Sequence, residues 1–383
     1  MRILVAAIPA YGHLFPVLPL AAACAAAGHE VTVATGAPFL GRLPWPTVPG
    51  IAPGVELDAV VRETQRRHPD RHGPDLAVAM FADTTAELVS GALDEVFAQS
   101  RPDLVIFEAM NVGAAVAADR HDIPAVGFAI GLAPFVVDLI HTAVRDFQGH
   151  FWIDRGRPVP TGTGLLGAAL IDPSPPSLAV TDGPGPAVPR WPIRSVAYTD
   201  GSSPIPDWLV GNRSRPVVYL TLGTVSFGAV EVIRRAIDQI EPLPVDLLVA
   251  VGPEGDPAAL GAVGARVHVE RFVPQAQVLE RIEVIVHHGG TGTVLGAAAA
   301  GVPQLILPQG ADQFLNADLV TRAGIGRALR ADEQVGGAIT DAVRVLLDAG
   351  PPRQRAAQLR AEIAGMPAPE AIVPQLEKLV AGG

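Results

Sequence analysis

Short apolar runs alternate with longer amphipathic or alanine-rich stretches along most of the chain. Arg2 to Ile8 reads as a strand interrupted by Pro9, Val17 to Ala27 as a helix stopped by Gly28, and Glu30 to Thr35 as a second strand. The rhythm continues with a helix over Leu76–Ala98 and a strand over Asp103–Phe107 with Glu108 at its carboxyl end. A helix over Val112–Arg120 and a strand over Ala125–Ala129 follow. Aliphatic runs without polar alternation are what strands covered on both faces require. Joined through helices, such strands form a parallel sheet. Pro38 to Pro74 carries too much proline and glycine for its elements to be assigned.

Periodicity fades between Asp182 and Pro216, where seven prolines collect. A second α/β unit then begins: a strand over Val217–Leu222, the turn Gly223-Thr224, a helix over Val230–Ile240, and strands over Val245–Val251 and Arg266–Val269. Val284-Ile285-Val286 is a buried strand, Val294–Ala300 a helix closed by Gly301 and Pro303, and Gln304–Leu307 another strand. Asp341 to Val380 is mostly helical with a break at Gly365-Met366-Pro367. The pattern predicts an α/β chain of two Rossmann-like parallel-sheet domains facing across a cleft. Residues 1–200 form the first, 201–215 a linker and 216–365 the second, and residues 366–383 are a helix packing back on the first domain.

Composition narrows the partners. A net charge of −11 and a pI near 5.3 argue against nucleic acid, whose phosphates call for a basic surface. The single cysteine, Cys24, lies in an alanine-rich helix and fits packing in a reducing compartment. The N-terminus lacks the charge and apolar run of a signal peptide. No apolar run reaches the ~18 residues of a spanning helix. The expectation is a cytoplasmic protein without an integral membrane segment, its oligomeric state open and a homodimer admissible.

The chemistry concentrates in Arg271–Ala317. There a strand delivers His287-His288-Gly289-Gly290-Thr291-Gly292-Thr293 to the start of a helix, and the following strand opens into Gly310-Ala311-Asp312-Gln313. A strand, a glycine-rich turn and a helix N-terminus together bind anions well, a diphosphate included. The same pattern also serves as a plain tight turn. In the first half, His13 follows the first strand and Glu108 ends a later one, so an imidazole base oriented by a carboxylate is one reading. A turn histidine and a solvated carboxylate is the other. Gly131–Trp152 places Phe135, Phe147 and Trp152 among polar residues, which suits either a core or an apolar acceptor pocket. His287 suits packing as well as ligation, and His68 and His72 sit in an arginine-rich loop where exposure is the default. The first loop carries no G-x-G-x-x-G, which counts against a dinucleotide-dependent oxidoreductase.

Taken together, GHLFP at His13, YLTLGT at 219–224 and FVPQ…HHGGTGT…GVP…P…DQ resemble the nucleotide-sugar-dependent glycosyltransferases of GT-B fold. The likeness is to the antibiotic-tailoring branch of macrolide, enediyne and aromatic polyketide enzymes. It implies an inverting, metal-independent transfer with His13 as base and Glu108, where many relatives carry Asp, behind it. It also implies that Phe272 stacks on the nucleobase, that the Val273 backbone reads its edge, and that Gln275 of the same motif lies with them. His288, Gly290, Gly292 and Thr293, with Gly223 and Thr224, match the diphosphate turn, and Asp312 and Gln313 match the pair that binds the sugar. Gly296 stands where plant relatives use a Glu to grip both ribose hydroxyls, which favours a dTDP-sugar over a UDP-sugar.

The resemblance therefore implies a nucleotide-sugar donor, a hydrophobic small-molecule acceptor and no cofactor. Without a D-x-D the sequence gives no reason to expect a metal. A nucleotide-sugar epimerase of the same fold and a non-catalytic nucleotide-sugar-binding homologue are the competing readings. The identity of the acceptor and of the sugar is not encoded in these motifs.

Overall fold

The computed structural model describes residues 1–382 apart from 53, 133–139, 141–142, 155, 160–164, 166, 180–187, 200–203, 212, 224–228 and 253–254. The chain folds into two compact units. The first holds Met1–Ser174, Val180–Arg194 and Pro367–Gly383, and the second holds Pro175–Ala179 and Ser195–Met366. The first unit thus ends at Arg194 rather than at residue 200. Pro175–Ala179 joins the second unit because the Ser177 N–H donates to Glu362 at 2.8 Å.

In the first unit the strands are β1 (Arg2–Ala6), β2 (Glu30–Thr35), β3 (Thr47–Pro49), β4 (Leu104–Glu108), β5 (Ala125–Phe128), β6 (Leu170–Asp172) and β7 (Arg190–Pro192). Among the described residues they form a parallel sheet in the order β3-β2-β1-β4-β5-β6-β7. In the second, β8 (Val217–Thr221), β9 (Asp246–Ala250), β10 (Val267–Glu270), β11 (Val284–His287), β12 (Gln304–Ile306) and β13 (Gly326–Ala328) give the parallel order β10-β9-β8-β11-β12-β13. Each order reverses once, between β1 and β4 and between β8 and β11. Crossovers leaving a reversal point run to opposite faces of the sheet, so a crevice opens beyond the carboxyl ends of its two central strands.

Those central strands are the firmest parts of the fold. Leu104, Val105, Ile106 and Phe107 of β4 and Val284, Ile285 and Val286 of β11 are fully buried. Burying each such side chain contributes about 1.5–3 kcal/mol. A residue at the end of such a strand is held in place by the whole core.

The region without a sequence assignment contains β3 and a helix over Leu57–Arg67, of which only Val60 and Thr64 are buried among its described side chains. The helix expected over Leu76–Ala98 runs from Gly73 to Gln99 and changes character midway. Gly73–Ala79 is α-helical, Met80–Thr85 is a π-helical segment, and Ala86–Gln99 is α-helical again. Its 27 residues are long and apolar enough to cross a bilayer, yet Ala82, Ala86, Val89, Leu93 and Phe97 are spent on the first unit's core. Cys24 is buried, and burial together with the Glu377 carboxylate pushes its thiol up to about 12, so it stays protonated. The chain returns to the first unit after Met366. The Arg194 N–H donates to the Pro367 carbonyl at 2.6 Å, and Glu377 on the last helix lies 3.2 Å from His29.

Candidate active site

The segments after β1 and β4 build the first crevice. Tyr11–Leu14 is a single helical turn rather than the expected loop, and it carries His13. Glu108 is 0% exposed, which disposes of the solvated-carboxylate reading. A buried carboxylate is tolerated only when paired and hydrogen-bonded. Here Oε1 lies 3.0 Å from His13 Nδ1, and Oε2 accepts the Met110 N–H at 2.9 Å. An ionised carboxylate only accepts, so the Nδ1 proton belongs to this bond and the imidazole lone pair is on Nε2. Phe81, on the π-helical segment, stacks on the His13 ring with centroids 5.9 Å apart and planes 26° apart.

The second crevice lies beyond β8 and β11. His287 is fully buried. Its Nε2 meets Gln304 Oε1 at 3.0 Å, its Nδ1 accepts the Gly289 N–H at 3.1 Å, and Gln304 passes the network on to the Val294 carbonyl. Burial, reinforced by neighbouring His288 and opposed by Gln304, pushes its imidazole down to about 3. His287 is therefore a neutral brace for the turn.

His288 occupies a slot between two backbones. A Cβ on Gly223 would stand 2.6 Å from its Cε1, and a Cβ on Gly290 would stand 2.5 Å from its Nε2. Only glycine on both sides leaves room for the ring. Burial pushes the imidazole down to about 4 against the opposing pull of Asp312, so His288 too is neutral near pH 7. Its Nδ1 is buried with no partner among the described residues. An orphaned buried nitrogen calls for a missing hydrogen-bonding group.

Beside it, the helix Thr291–Ala300 starts three residues earlier than its apolar run suggested. Gly290, its N-cap, has no side chain, and the N–H groups of Gly290, Thr291 and Gly292 find no protein acceptor among the described residues. Space is open where a Gly292 side chain would project. Unsatisfied amides at the positive end of a ten-residue helix make an anion site.

The loop after β12 is tied to this turn. Asp312 Oδ2 accepts from Thr291 Oγ1 at 2.9 Å and from Asn316 Nδ2 at 3.1 Å. Asn316, fully buried, also donates to the Gly289 carbonyl at 2.9 Å and reaches Thr291 Oγ1 at 3.1 Å. Gln313 Oε1 accepts from the Gln309 and Gly310 N–H groups at 2.8 and 3.1 Å, which leaves its amide nitrogen for a ligand. Asn316 and Gln304 escaped the sequence reading. The former is one polar residue inside a helix, and nothing in its spacing marks it.

Phe272 is 44% exposed while the adjacent Val273 is buried, so an aromatic face stands in solvent on a fixed backbone. Gln275 opens the short helix Gln275–Leu279. Gly296 faces that helix: a methyl there would lie 3.2 Å from Leu279 Cδ1 and 3.6 Å from Gln275 Nε2. Val273, Gln275 and Gly296 thus belong to one corner.

Other expected positions fare differently. Trp152 is corrected from pocket to core: it is 3% exposed, and its indole N–H donates to Asp119 at 2.6 Å. Phe147 meets His68 edge-on at 5.0 Å and Arg71 at 5.1 Å. It borders a cavity of about 390 Å³ with Arg67, Asp83 and Gln148, and His13 is not part of that lining. Thr224 and Phe135 lie outside the described residues. His68, expected in solvent, is held 2.8 Å from Asp83.

Residues 22–223 match the N-terminal domain, and residues 234–379 the C-terminal domain, of the family described as erythromycin biosynthesis protein CIII-like. The chain is 33% identical to L-demethylnoviosyl transferase from Streptomyces niveus, over 97% of this chain and 96% of that protein. Glycosyltransferase SnogD from Streptomyces nogalater is similar with a TM-score of 0.80 at 28% identity, over 99% of each chain. Spinosyn rhamnosyltransferase SpnG, solved with thymidine diphosphate, is similar with a TM-score of 0.81 at 26% identity, over 98% of this chain and 100% of that one.

Proposed function

The chain belongs to the erythromycin biosynthesis protein CIII-like family of GT-B glycosyltransferases, and from that membership we propose that it moves a deoxysugar from a dTDP-sugar to a hydroxyl of an apolar natural-product aglycone, inverting the anomeric carbon. The observation that carries the reading is the His13–Glu108 pair at the reversal point of the first sheet. Glu108 holds the Nδ1 proton, so Nε2 is the basic atom. It takes the acceptor proton as the acceptor oxygen bonds to the anomeric carbon. The bond from that carbon to the diphosphate breaks, and dTDP leaves with the electron pair. The positive charge that collects on His13 is balanced by the buried carboxylate behind it.

The donor end needs donors rather than charge. The free amides of Gly290, Thr291 and Gly292 and the neutral His288 ring meet the charge that grows on the diphosphate, stabilisation that is strongest where water is excluded. We assign the nucleobase to the Phe272 face, the sugar hydroxyls to Asp312 and Gln313, and the ribose to the corner of Gln275 and Gly296. The absence of a carboxylate at Gly296 and the thymidine diphosphate held by the similar SpnG both favour dTDP. The scheme contains no metal step.

The test is incubation with dTDP-sugars and a panel of polyketide aglycones, following dTDP release and product mass. His13→Gln is expected to bind dTDP as the parent does and to transfer at least a hundredfold more slowly. Transfer at the parental rate by that variant would dismiss the base, and epimerised donor without product would point to the epimerase.

A further inference from the structure

We propose that Phe81 is a positioning residue for His13, and that the π-helical segment Met80–Thr85 exists to hold it there. The inference rests on His13 being the base. A hydrogen bond to one ring atom fixes where Nδ1 sits but leaves the plane of an imidazole free to tilt. Glu108 supplies such a point. A surface against the ring face is a restraint of a second kind, and the Phe81 ring is such a surface, stacked 5.9 Å away at 26°. Both act on the direction of Nε2, and a base must be aimed within a fraction of an ångström at the proton it takes.

Phe81 reaches His13 from an unusual backbone. π-Helical segments are rare, costly and frequent at functional sites, because each adds a residue to a turn and re-phases the side chains around it. This one is tied down by polar contacts of its own. Asp83 Oδ2 lies 2.8 Å from His68 Nε2, and Oδ1 accepts from Gln148 Nε2 at 2.9 Å. Thr64 Oγ1, within the Leu57–Arg67 helix, is hydrogen-bonded to Thr84 Oγ1 at 2.9 Å. Relaxation to a plain α-helix would expel a residue and re-phase Phe81 and Asp83 against the partners each now has. The Asp83 cluster therefore accounts for the register that delivers Phe81.

Two measurements test this. The first uses nitrogen NMR of His13 in the full chain and needs no substrate. Phe81→Leu is expected to broaden or shift the His13 ring signals and to mix its tautomers, whereas Phe81→Tyr keeps the parental spectrum. The second is kinetic. Phe81→Leu is expected to lower kcat about 10- to 100-fold with donor KM and dTDP affinity unchanged. Phe81→Tyr restores most of the rate, and Asp83→Asn gives a smaller loss of the same kind. Parental His13 signals in Phe81→Leu would overturn the proposal, as would a loss equally deep in Phe81→Tyr. A kcat that follows only the loss of thermal stability would overturn it too. If Phe81→Leu is poorly folded, Phe81→Met, which keeps the bulk without the ring, takes its place under the same criteria. Failure of the base reading is seen separately, as a His13→Gln variant that still transfers, and the NMR result stands or falls without it.

Discussion

Two histidines sit at equivalent places in the two sheets, each just beyond the carboxyl end of a strand at the reversal point, and their surroundings push them toward opposite chemistry. His13 faces a buried carboxylate, so its ring is oriented and its protonated form has a partner. His288 faces backbone on both sides, with Gly223 and Gly290 pressed against it, and burial keeps it uncharged. In the proposed scheme the same topological position serves as a proton acceptor in one sheet and as a neutral N–H donor in the other. The difference comes from one buried glutamate and two glycines.

The contrast can be broken from the first side by removing its charge. Glu108→Gln keeps the shape and leaves a neutral acceptor and donor behind His13. Steady-state kinetics is expected to show a loss in kcat on the order of 10²–10⁴-fold, with dTDP affinity intact; a loss below threefold would detach Glu108 from the chemistry. From the second side, Gly290→Ala is a clean probe. Gly290 has φ −61° and ψ 138°, which any residue accepts, so its added methyl acts only through the His288 ring 2.5 Å away. Calorimetry is expected to show dTDP binding weakened about tenfold or more while the His13 NMR signals stay put. Unchanged affinity would mean the ring does not touch the ligand.

Asn316→Ala is expected to act on both binding and folding. It strips a fully buried network of a donor shared by Gly289, Thr291 and Asp312, which should cost about 1–3 kcal/mol in chemical denaturation and raise donor KM. A fall in stability with an unaltered KM would make it a purely structural brace. The neutral histidines predict a pH dependence with a definite sign. His287 and His288 titrate near 3 and 4 when folded against 6.5 in the unfolded chain, so unfolding takes up protons at low pH. This stability is complete above pH 6.5 and is lost as pH falls from there through 4 toward 3, with a slope of ~1.4 kcal/mol per pH unit for each imidazole. Melting curves flat between pH 6.5 and 4.5 would refute the neutral pair. The smallest effect expected is that of EDTA, which should leave the transfer rate within error because in the proposed scheme amides and an imidazole take the place of a metal.

Much of this contrast was legible in the chain. The four central strands are continuous apolar runs, and Glu108 and His288 simply follow two of them, so sequence order alone put them at strand ends. The glycines flanking His288 were visible as a motif, but not that they flank a ring. What escaped is what depends on long-range packing. The Leu57–Arg67 helix buries too few residues to show a period, and the short strands β6, β7 and β13 have three residues each. Trp152 and Phe272 are both aromatic and near polar residues, yet one is core and the other stands in solvent. Only the fold separates them. The π-helical segment has no sequence signature at all.

The bond between the Arg194 N–H and the Pro367 carbonyl has a consequence for exchange between relatives. The point where the chain leaves the first unit and the point where it re-enters are directly joined, so residues 195–366 form a cassette whose two ends meet at one seam. A host that presents its open ends side by side loses little entropy to whatever is spliced between them. Cutting at this seam, with 175–179 exchanged alongside, would let a relative's cassette be carried on this first unit without parting the last helix from His29.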